Sequence, residues 1–196
     1  MHQSPRARYV HARAMLAVLF LVICRVSATQ AEQQRYVSGF VGTLTKNRWH
    51  DALRPQQVEF ADSYMIGGAL GWDRRIGASR FRYGIEAQLA AHFGRQDHLE
   101  LSVPVVLRYV PDQGAPLRSV GAGLGLSYAS QVPQVEIDRN GASQRFFVHW
   151  MAEIEFATPD PDRTAFLRVH HRSDGYGVFE VDAGSTGFVL GLRHRF

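Results

Sequence analysis

Residues 187–196 read GFVLGLRHRF and end the chain on an aromatic residue. In an extended strand, successive side chains point to opposite sides. One side of this segment carries Phe188, Leu190, Leu192, His194 and Phe196, and the other carries Val189, Gly191, Arg193 and Arg195. A soluble sheet rarely places two arginines opposite a large apolar row, whereas the polar lumen of a membrane barrel accommodates them. The pattern predicts the closing strand of an outer-membrane β-barrel.

The chain begins with the features of a secretory signal peptide. Basic residues precede an apolar run at 14–24, which is shorter than the roughly 20 residues that a membrane-spanning helix needs. Small residues provide cleavage positions near Ala28 or Ala31. Lipidation of Cys24 is disfavoured because Ile23 stands where a small residue is required. We therefore predict a signal peptide over 1–31, a single domain over 32–196 and localisation in the bacterial outer membrane.

The charge balance argues against nucleic-acid binding, and the cysteine content argues against disulfides and thiolate metal sites. The sequence has 22 Lys and Arg and 18 Asp and Glu, but four Arg lie in 1–31, so 18 basic and 18 acidic residues remain in the mature chain. Nucleic acid is not expected as a partner, because its binding requires basic residues clustered on one face. The single Cys leaves with the signal peptide, which excludes disulfides and thiolate metal sites. We expect no metal ion and no cofactor.

Eight segments of the mature chain alternate with a period of two residues. They are 34–44, 62–73, 80–93, 98–110, 117–129, 145–157, 163–173 and 185–196. The faces opposite the apolar rows carry Arg82, Glu86, Glu100, Arg108, Glu153, Glu155, Arg168 and Arg193. Burying these charges in the core of a soluble sandwich is costly unless they are paired, whereas a small barrel lumen can pair them. The predicted fold is all-β: an eight-stranded antiparallel up-and-down transmembrane β-barrel.

The connections and small residues fit this barrel. If both termini are periplasmic, the even-numbered turns, at 74–79, 111–116 and 158–162, are short, and the long connections 45–61 and 130–144 lie outside. The glycines at 121, 123 and 125 fall on the inward face, where they make room for longer side chains. Aromatic residues near segment ends predict interfacial girdles. They are Tyr36, Phe40, Tyr64, Trp72, Tyr83, Tyr109, Tyr128 and Trp150.

A histidine and a serine lie two residues apart at the end of the seventh segment. The alternation places His171 and Ser173 on the lipid-facing side, and His170 and Arg172 toward the lumen. Residues two apart on a strand are separated by about 6.5–7 Å, so a serine hydroxyl can approach an imidazole nitrogen. One interpretation is a Ser nucleophile with a His general base at the level of the outer leaflet. The alternative is an interfacial histidine followed by the first residue of a loop.

At these residues the chain resembles the PagL-type lipid A 3-O-deacylases, which are eight-stranded outer-membrane barrels that hydrolyse an ester-linked acyl chain from lipid A. The resemblance is carried by residues 171–175 (HRSDG), by 184–196 as the closing strand, and by the length and strand count of the mature chain. In that family a His-x-Ser-Asn run and a Glu early in the last strand form a lipid-facing Ser-His-Glu triad. The resemblance implies that Ser173 is the nucleophile and His171 its general base.

The sequence departs from the family pattern at two positions. Asp174 replaces the family's Asn, and a carboxylate cannot donate a hydrogen bond to an oxyanion, so the backbone N–H of Gly175 is the expected donor. Thr186 occupies the position of the family's Glu; it can orient an imidazole but cannot stabilise imidazolium as a carboxylate does. Glu180 or Asp182 from the preceding connection is the alternative acid.

The resemblance implies a serine esterase that removes a 3-O-linked acyl chain from lipid A, with lipopolysaccharide and the outer-membrane bilayer as partners. The alternative is a non-catalytic small barrel with a structural or surface-binding role, acting through its long loops. A channel is disfavoured because eight strands leave a lumen filled by side chains. A calcium-dependent phospholipase is disfavoured because Asp160 and Asp162 lie in a periplasmic turn, away from Ser173. A homodimer in the membrane is a further hypothesis.

Overall fold

Eight antiparallel strands close into a barrel in which each strand pairs with its neighbours along the chain and the first pairs with the last. The structure, a computed structural model, describes residues 33–52, 54–111 and 116–196, and the predicted signal peptide lies outside them. The strands are β1 (Gln33–Thr45), β2 (Phe60–Arg75), β3 (Phe81–Gly94), β4 (His98–Tyr109), β5 (Leu117–Ala129), β6 (Phe146–Ala157), β7 (Arg163–Ser173) and β8 (Gly184–Arg195). Each strand lies within two residues of its predicted segment, so the predicted fold is confirmed.

The two faces of the wall have the predicted character. In β3, Arg82, Glu86 and His92 are buried in the lumen, whereas Phe81 and Leu89 are exposed on the outside. The same alternation holds for all eight inward charges predicted from the sequence, each of which is buried. An apolar outer surface around a charged interior is the arrangement that a bilayer requires.

Ion pairs fill the middle of the lumen. Arg193 contacts Glu153 at 2.7 Å and Glu86 at 3.3 Å, and Arg168 contacts the same two carboxylates at 2.5 and 2.8 Å. Arg108 reaches Glu86 at 3.2 Å. Because each carboxylate serves several guanidinium groups, the buried charges compensate one another.

The inward glycines of β5 leave room for this network. A Cβ at Gly121 would lie 3.1 Å from Arg108 Cγ, and one at Gly123 would lie 3.0 Å from Met151 Cγ. Both distances are too short for an ordinary side chain at these positions without movement of the neighbour. The prediction that glycines make room for longer side chains is confirmed at these two positions.

The girdle prediction is wrong for two aromatic residues. Tyr36 and Phe40 are buried inside the barrel, whereas Tyr64, Tyr109 and Tyr128 are exposed on its outer surface. The Tyr36 hydroxyl donates to Glu86 at 2.8 Å, and its ring lies 4.6 Å below the Arg193 guanidinium. The lumen therefore uses aromatic rings to cover its cations. Aromatic content near a strand end does not distinguish this role from an interfacial one.

The barrel has two different ends. The end that carries the first, third, fifth and seventh connections, here the loop end, includes helix α1 (Trp49–Ala52), a 3₁₀ turn (Pro55–Gln57) and helix α2 (Gln134–Asn140). The opposite, terminal end carries the start of β1, the end of β8 and the second, fourth and sixth connections. No helix in the described part of the chain is long and apolar enough to cross a membrane.

Candidate active site

The predicted catalytic residues lie on the outward face at the loop end, where β6, β7 and β8 run side by side. In the strand register, His171 lies between Trp150 and Thr186. Two residues further along β7, Ser173 pairs with Gly184 of β8. The sheet thus brings together, on one face, the residues that the resemblance implied as nucleophile, base and third member.

Thr186 is the hydrogen-bond partner of His171. The Thr186 hydroxyl lies 2.9 Å from His171 Nδ1, and Trp150 packs against the imidazole with ring centroids 4.9 Å apart. In the tautomer with a proton on Nδ1, that N–H donates to Thr186 Oγ1 and leaves Nε2 able to accept a proton. This is the tautomer that a general base requires.

His171 points outward, as predicted, but its side chain is not exposed to lipid. His171 is only 4% exposed and Thr186 is fully buried. Trp150 is itself covered by Trp49 of α1, whose ring lies 5.9 Å away in an edge-on contact. Trp49 covers this part of the outer wall because the first connection folds back over it. Strand alternation alone cannot reveal this cover.

Helix α2 fastens this cover to β8. The Arg139 guanidinium donates to the backbone oxygen of Asn47 in the first connection at 2.7 Å and also to the backbone oxygen of Gly184. Asn140 donates to the same Gly184 oxygen at 3.2 Å. A guanidinium that joins the first connection, the fifth connection and β8 holds the loops over the residues of the candidate site.

Ser173 is half-buried, and its hydroxyl accepts a hydrogen bond from the backbone N–H of Gly175 at 3.3 Å. Within the described residues, Ser173 and His171 share a face but form no direct hydrogen bond. A base and a nucleophile in a ligand-free site are often separated by more than they are in the reacting complex. The Gly175 N–H is bonded to the Ser173 oxygen itself, whereas an oxyanion donor must reach the carbonyl oxygen of the substrate.

The Asp174 side chain shapes the turn after β7. Its carboxylate accepts a hydrogen bond from the backbone N–H of Gly177 at 2.6 Å, so it supplies no donor to an oxyanion. Gly175 has a φ of 70°, and a Cβ there would lie 2.4 Å from Val148 Cγ2. Only glycine satisfies both the left-handed conformation and the close approach.

The two alternative acids are not hydrogen-bond partners of the imidazole. Glu180 and Asp182 are exposed in the seventh connection, and neither forms a hydrogen bond or ion pair with another described residue. In this arrangement the contact with His171 Nδ1 is made by Thr186.

Sequence reasoning missed a buried acid at the loop end. Glu136 of α2 accepts hydrogen bonds from Ser185 at 2.7 Å and Ser143 at 2.5 Å, and pairs with Arg172 at 2.9 Å. Burial raises the pKa of the Glu136 carboxyl, although Arg172 and the two hydroxyls act in the opposite direction. The segment that contains Glu136 has no motif, so its position depends on long-range folding alone.

A separate apolar depression in the outer wall includes neither His171 nor Ser173. It is lined by Gly39, Phe40, Val41, Ile66, Gly67, Ala165, Leu190, Gly191 and Leu192. Ala165 is six residues from His171 along β7, toward the terminal end, so this depression belongs to the lipid-contact surface of the barrel.

The fold is shared with known outer-membrane proteins. No family model matches the chain, and a search of curated proteins finds no match. The crystal structure of the outer membrane enzyme PagL matches with a TM-score of 0.55 at 18% identity, covering 81% of this chain and 98% of that one. The N-terminal β-barrel domain of Pseudomonas aeruginosa OprF matches with a TM-score of 0.51 at 12% identity, covering 85% and 100%. The protein is an outer-membrane barrel of eight strands.

Proposed function

We propose that the protein is an outer-membrane serine esterase that removes an ester-linked acyl chain from lipid A. The observation that carries the proposal is the position of His171, held by Thr186 on one side and by Trp150 on the other, on the same face as Ser173. The resemblance to the PagL-type deacylases in residues 171–175 supports the substrate class.

The reaction follows from the roles of these groups. His171 Nε2 takes the proton of the Ser173 hydroxyl as its oxygen attacks the acyl carbonyl, and the Gly175 N–H exchanges its bond to Ser173 Oγ for one to the oxyanion. The ester bond to the sugar oxygen breaks, and that oxygen receives the proton from the imidazolium. Water, activated by the same imidazole, then hydrolyses the acyl-enzyme and releases a fatty acid.

Thr186 sets the level of activity. Its hydroxyl orients His171 but carries no charge to stabilise imidazolium, so we expect slower turnover than a carboxylate at this position would give. A homodimer is not needed for this chemistry and stays a prediction.

A non-catalytic barrel is the second candidate. It is favoured by the burial of His171 under Trp150 and by the Ser173 hydroxyl, which accepts the Gly175 N–H as an ordinary turn residue does. In this case the long connections, with α1 and α2, carry the function.

Mass spectrometry of lipid A from cells that express the protein separates the two candidates. We expect loss of one hydroxyacyl chain with the wild type and with Ser79→Ala, a matched control in an exposed turn at the terminal end. Ser173→Ala, folded in the outer membrane, is expected to leave lipid A unchanged. Identical lipid A in cells with and without the folded wild type, across several lipid A donors, would favour the non-catalytic barrel.

A further inference from the structure

Histidine side chains gather around one carboxylate inside the barrel, on the opposite face of the wall from Ser173. They come from β3, β4, β6 and β7, and all are buried near the loop end. The group consists of Glu100, His92, His98, His149 and His170 and is called here the histidine cluster.

Two of these imidazoles have ring nitrogens without a partner. Neither nitrogen of His149 has a hydrogen-bond partner among the described residues, although its side chain is fully buried, and the same holds for Nε2 of His98. Buried polar groups in folded proteins are almost always hydrogen-bonded, and an unpartnered one points to a bound ion or water. Arg108 in the same lumen also has unpartnered nitrogens but pairs with Glu86 through another one, whereas both nitrogens of His149 are unpartnered. His149 therefore indicates a ligand.

The three donors around His149 have the chemistry and spacing of a metal site. One ligand atom each from Glu100, His149 and His170 lie within 4.8 Å of one another. A tetrahedral zinc ion with bonds of 2.0–2.1 Å separates its ligands by about 3.3 Å. The ligand atoms of Glu100 and His170 lie 3.1 Å apart, close to that separation. Imidazole and carboxylate ligands suit divalent transition metals. We propose that the loop end of the lumen binds one such ion through Glu100, His149 and His170.

Neighbouring polar groups hold the carboxylate in position. Glu100 Oε1 accepts hydrogen bonds from Ser102 at 2.9 Å and Ser127 at 2.7 Å and lies 3.1 Å from His170 Nε2, a contact that a bound ion would replace. Glu100 Oε2 lies 3.0 Å from His92 Nε2. Gln96 in turn lies 3.1 Å from His92 Nδ1. Partners of this kind, one step removed from the ion, orient metal ligands and raise their affinity. The carboxylate is therefore held in one position by several hydrogen bonds.

The site is separate from the candidate esterase site. His170 and His171 are adjacent in sequence but lie on opposite faces of β7, so the metal would lie in the lumen while Ser173 lies outside. The lack of Cys in the mature chain excludes thiolate ligands only and leaves this ligand set possible. The proposal is independent of the esterase reaction.

Metal titration of the barrel, purified from outer membranes in detergent and stripped with a chelator, tests the site. We expect about one equivalent of Zn²⁺ per barrel by elemental analysis, and a visible absorption band on addition of Co²⁺. His149→Gln is expected to weaken Zn²⁺ binding at least about 10-fold. His50→Gln, at an exposed histidine of α1, is the matched control and is expected to bind as the wild type does.

Two results would overturn the proposal: a folded wild-type barrel that retains no stoichiometric Zn²⁺, or His149→Gln binding Zn²⁺ as tightly as the wild type. Migration of the unheated protein on a gel reports whether each variant is folded. If His149→Gln does not fold, Glu100→Gln provides the same test, because it removes the charged ligand while keeping the size of the side chain. Unchanged Zn²⁺ affinity in folded Glu100→Gln would equally contradict the site.

Discussion

The outer wall formed by β7 and β8 differs between its two ends. Toward the terminal end, Leu190 and Leu192 of β8 are 59% and 57% exposed, as lipid-facing residues should be. Toward the loop end, on the same face, Thr186 is fully buried and His171 is 4% exposed. Facing outward therefore does not mean facing lipid. The first and fifth connections cover one part of the wall, and that part carries the polar residues.

This difference has a physical reason. A polar side chain in contact with hydrocarbon loses its hydrogen bonds to water, so it must find partners in the protein or be covered. His171 and Thr186 satisfy each other, and Trp150 covers the imidazole with an apolar ring. A shielded pair of this kind is also suited to catalysis, because electrostatic interactions are stronger where water is excluded.

Two histidines on the outward face provide the strongest test of the difference between the two ends of this wall. His171 is covered at the loop end, and His194 is exposed at the terminal end. We expect His171→Ala to lower deacylation about 10³-fold, because the general base is lost. His194→Ala is expected to leave the rate unchanged. Rates are measured on purified lipopolysaccharide in mixed micelles.

An equal loss of rate in both histidine variants would mean that barrel stability, and not the covered site, limits the reaction. Full activity in folded His171→Ala would show that the imidazole takes no part in it.

Substitutions of Thr186 are expected to change the deacylation rate by a smaller factor, downward or upward. Thr186→Val keeps the shape but removes the hydrogen bond to His171, so we expect the rate to fall about 10-fold. Thr186→Glu supplies a carboxylate for the imidazolium, and we expect the rate to rise above that of the wild type. Thr43→Val, at an outward threonine of β1, is the matched control. A faster Thr186→Val enzyme would contradict the orienting role of the hydroxyl.

Two glycines with left-handed backbones test how closely the seventh connection packs against β6. Gly175 has a φ of 70° and a Cβ there would collide with Val148, whereas Gly77 has a φ of 54° at the terminal end and open space around it. Gly77→Ala is expected to lower the free energy of unfolding by roughly 1–2 kcal/mol through backbone strain alone. Gly175→Ala adds a steric clash of about 1–3 kcal/mol. Urea unfolding in lipid vesicles measures both values.

If the two glycine variants lose the same free energy, the seventh connection does not press against β6 as described. In that case Gly175→Ala would also retain deacylation, which provides an independent check.

The smallest expected effect is a pH dependence at α2. Burial raises the pKa of Glu136, so the folded state holds its proton more strongly than the unfolded state. This contribution to stability is complete below the ordinary pKa of 4.5 and is lost as the pH rises through the raised value. Wild-type stability, compared with that of Glu136→Gln, should therefore fall as the pH rises above 4.5.

Asp138, on the same helix, is the matched control. Hydrogen bonds from Arg95 and Gln134 lower the pKa of Asp138, so Asp138→Asn should leave the pH dependence above 4.5 unchanged. Glu136→Gln with the same pH dependence as the wild type would contradict the buried position of the carboxyl.

Strand positions and facing could be predicted because they depend on local alternation. The arginine at 193 and the leucines around it specify their faces within a few residues of sequence, and the lumen then pairs the arginine with Glu153. His171 and Ser173 could be assigned to one face for the same reason.

The cover and the histidine cluster could not be predicted. Trp49 reaches Trp150 across a hundred residues of sequence, and Arg139 joins two connections to β8 through backbone oxygens that have no sequence signature. His149 and His170 alternate like any inward residue, and only the closed barrel shows that they meet at Glu100. Contacts that depend on closure and on long connections are not encoded in local periodicity.

Covalent labelling of Ser173 tests the central claim most directly. The purified wild-type barrel is treated with a long-chain alkyl fluorophosphonate, which reacts with activated serines, and the modified peptide is identified by mass spectrometry. We predict an adduct on Ser173 in the wild type and in His194→Ala, and none in folded His171→Ala. A folded wild-type barrel with Ser173 unmodified, or with equal modification in His171→Ala, would contradict the account of an activated serine at the covered wall.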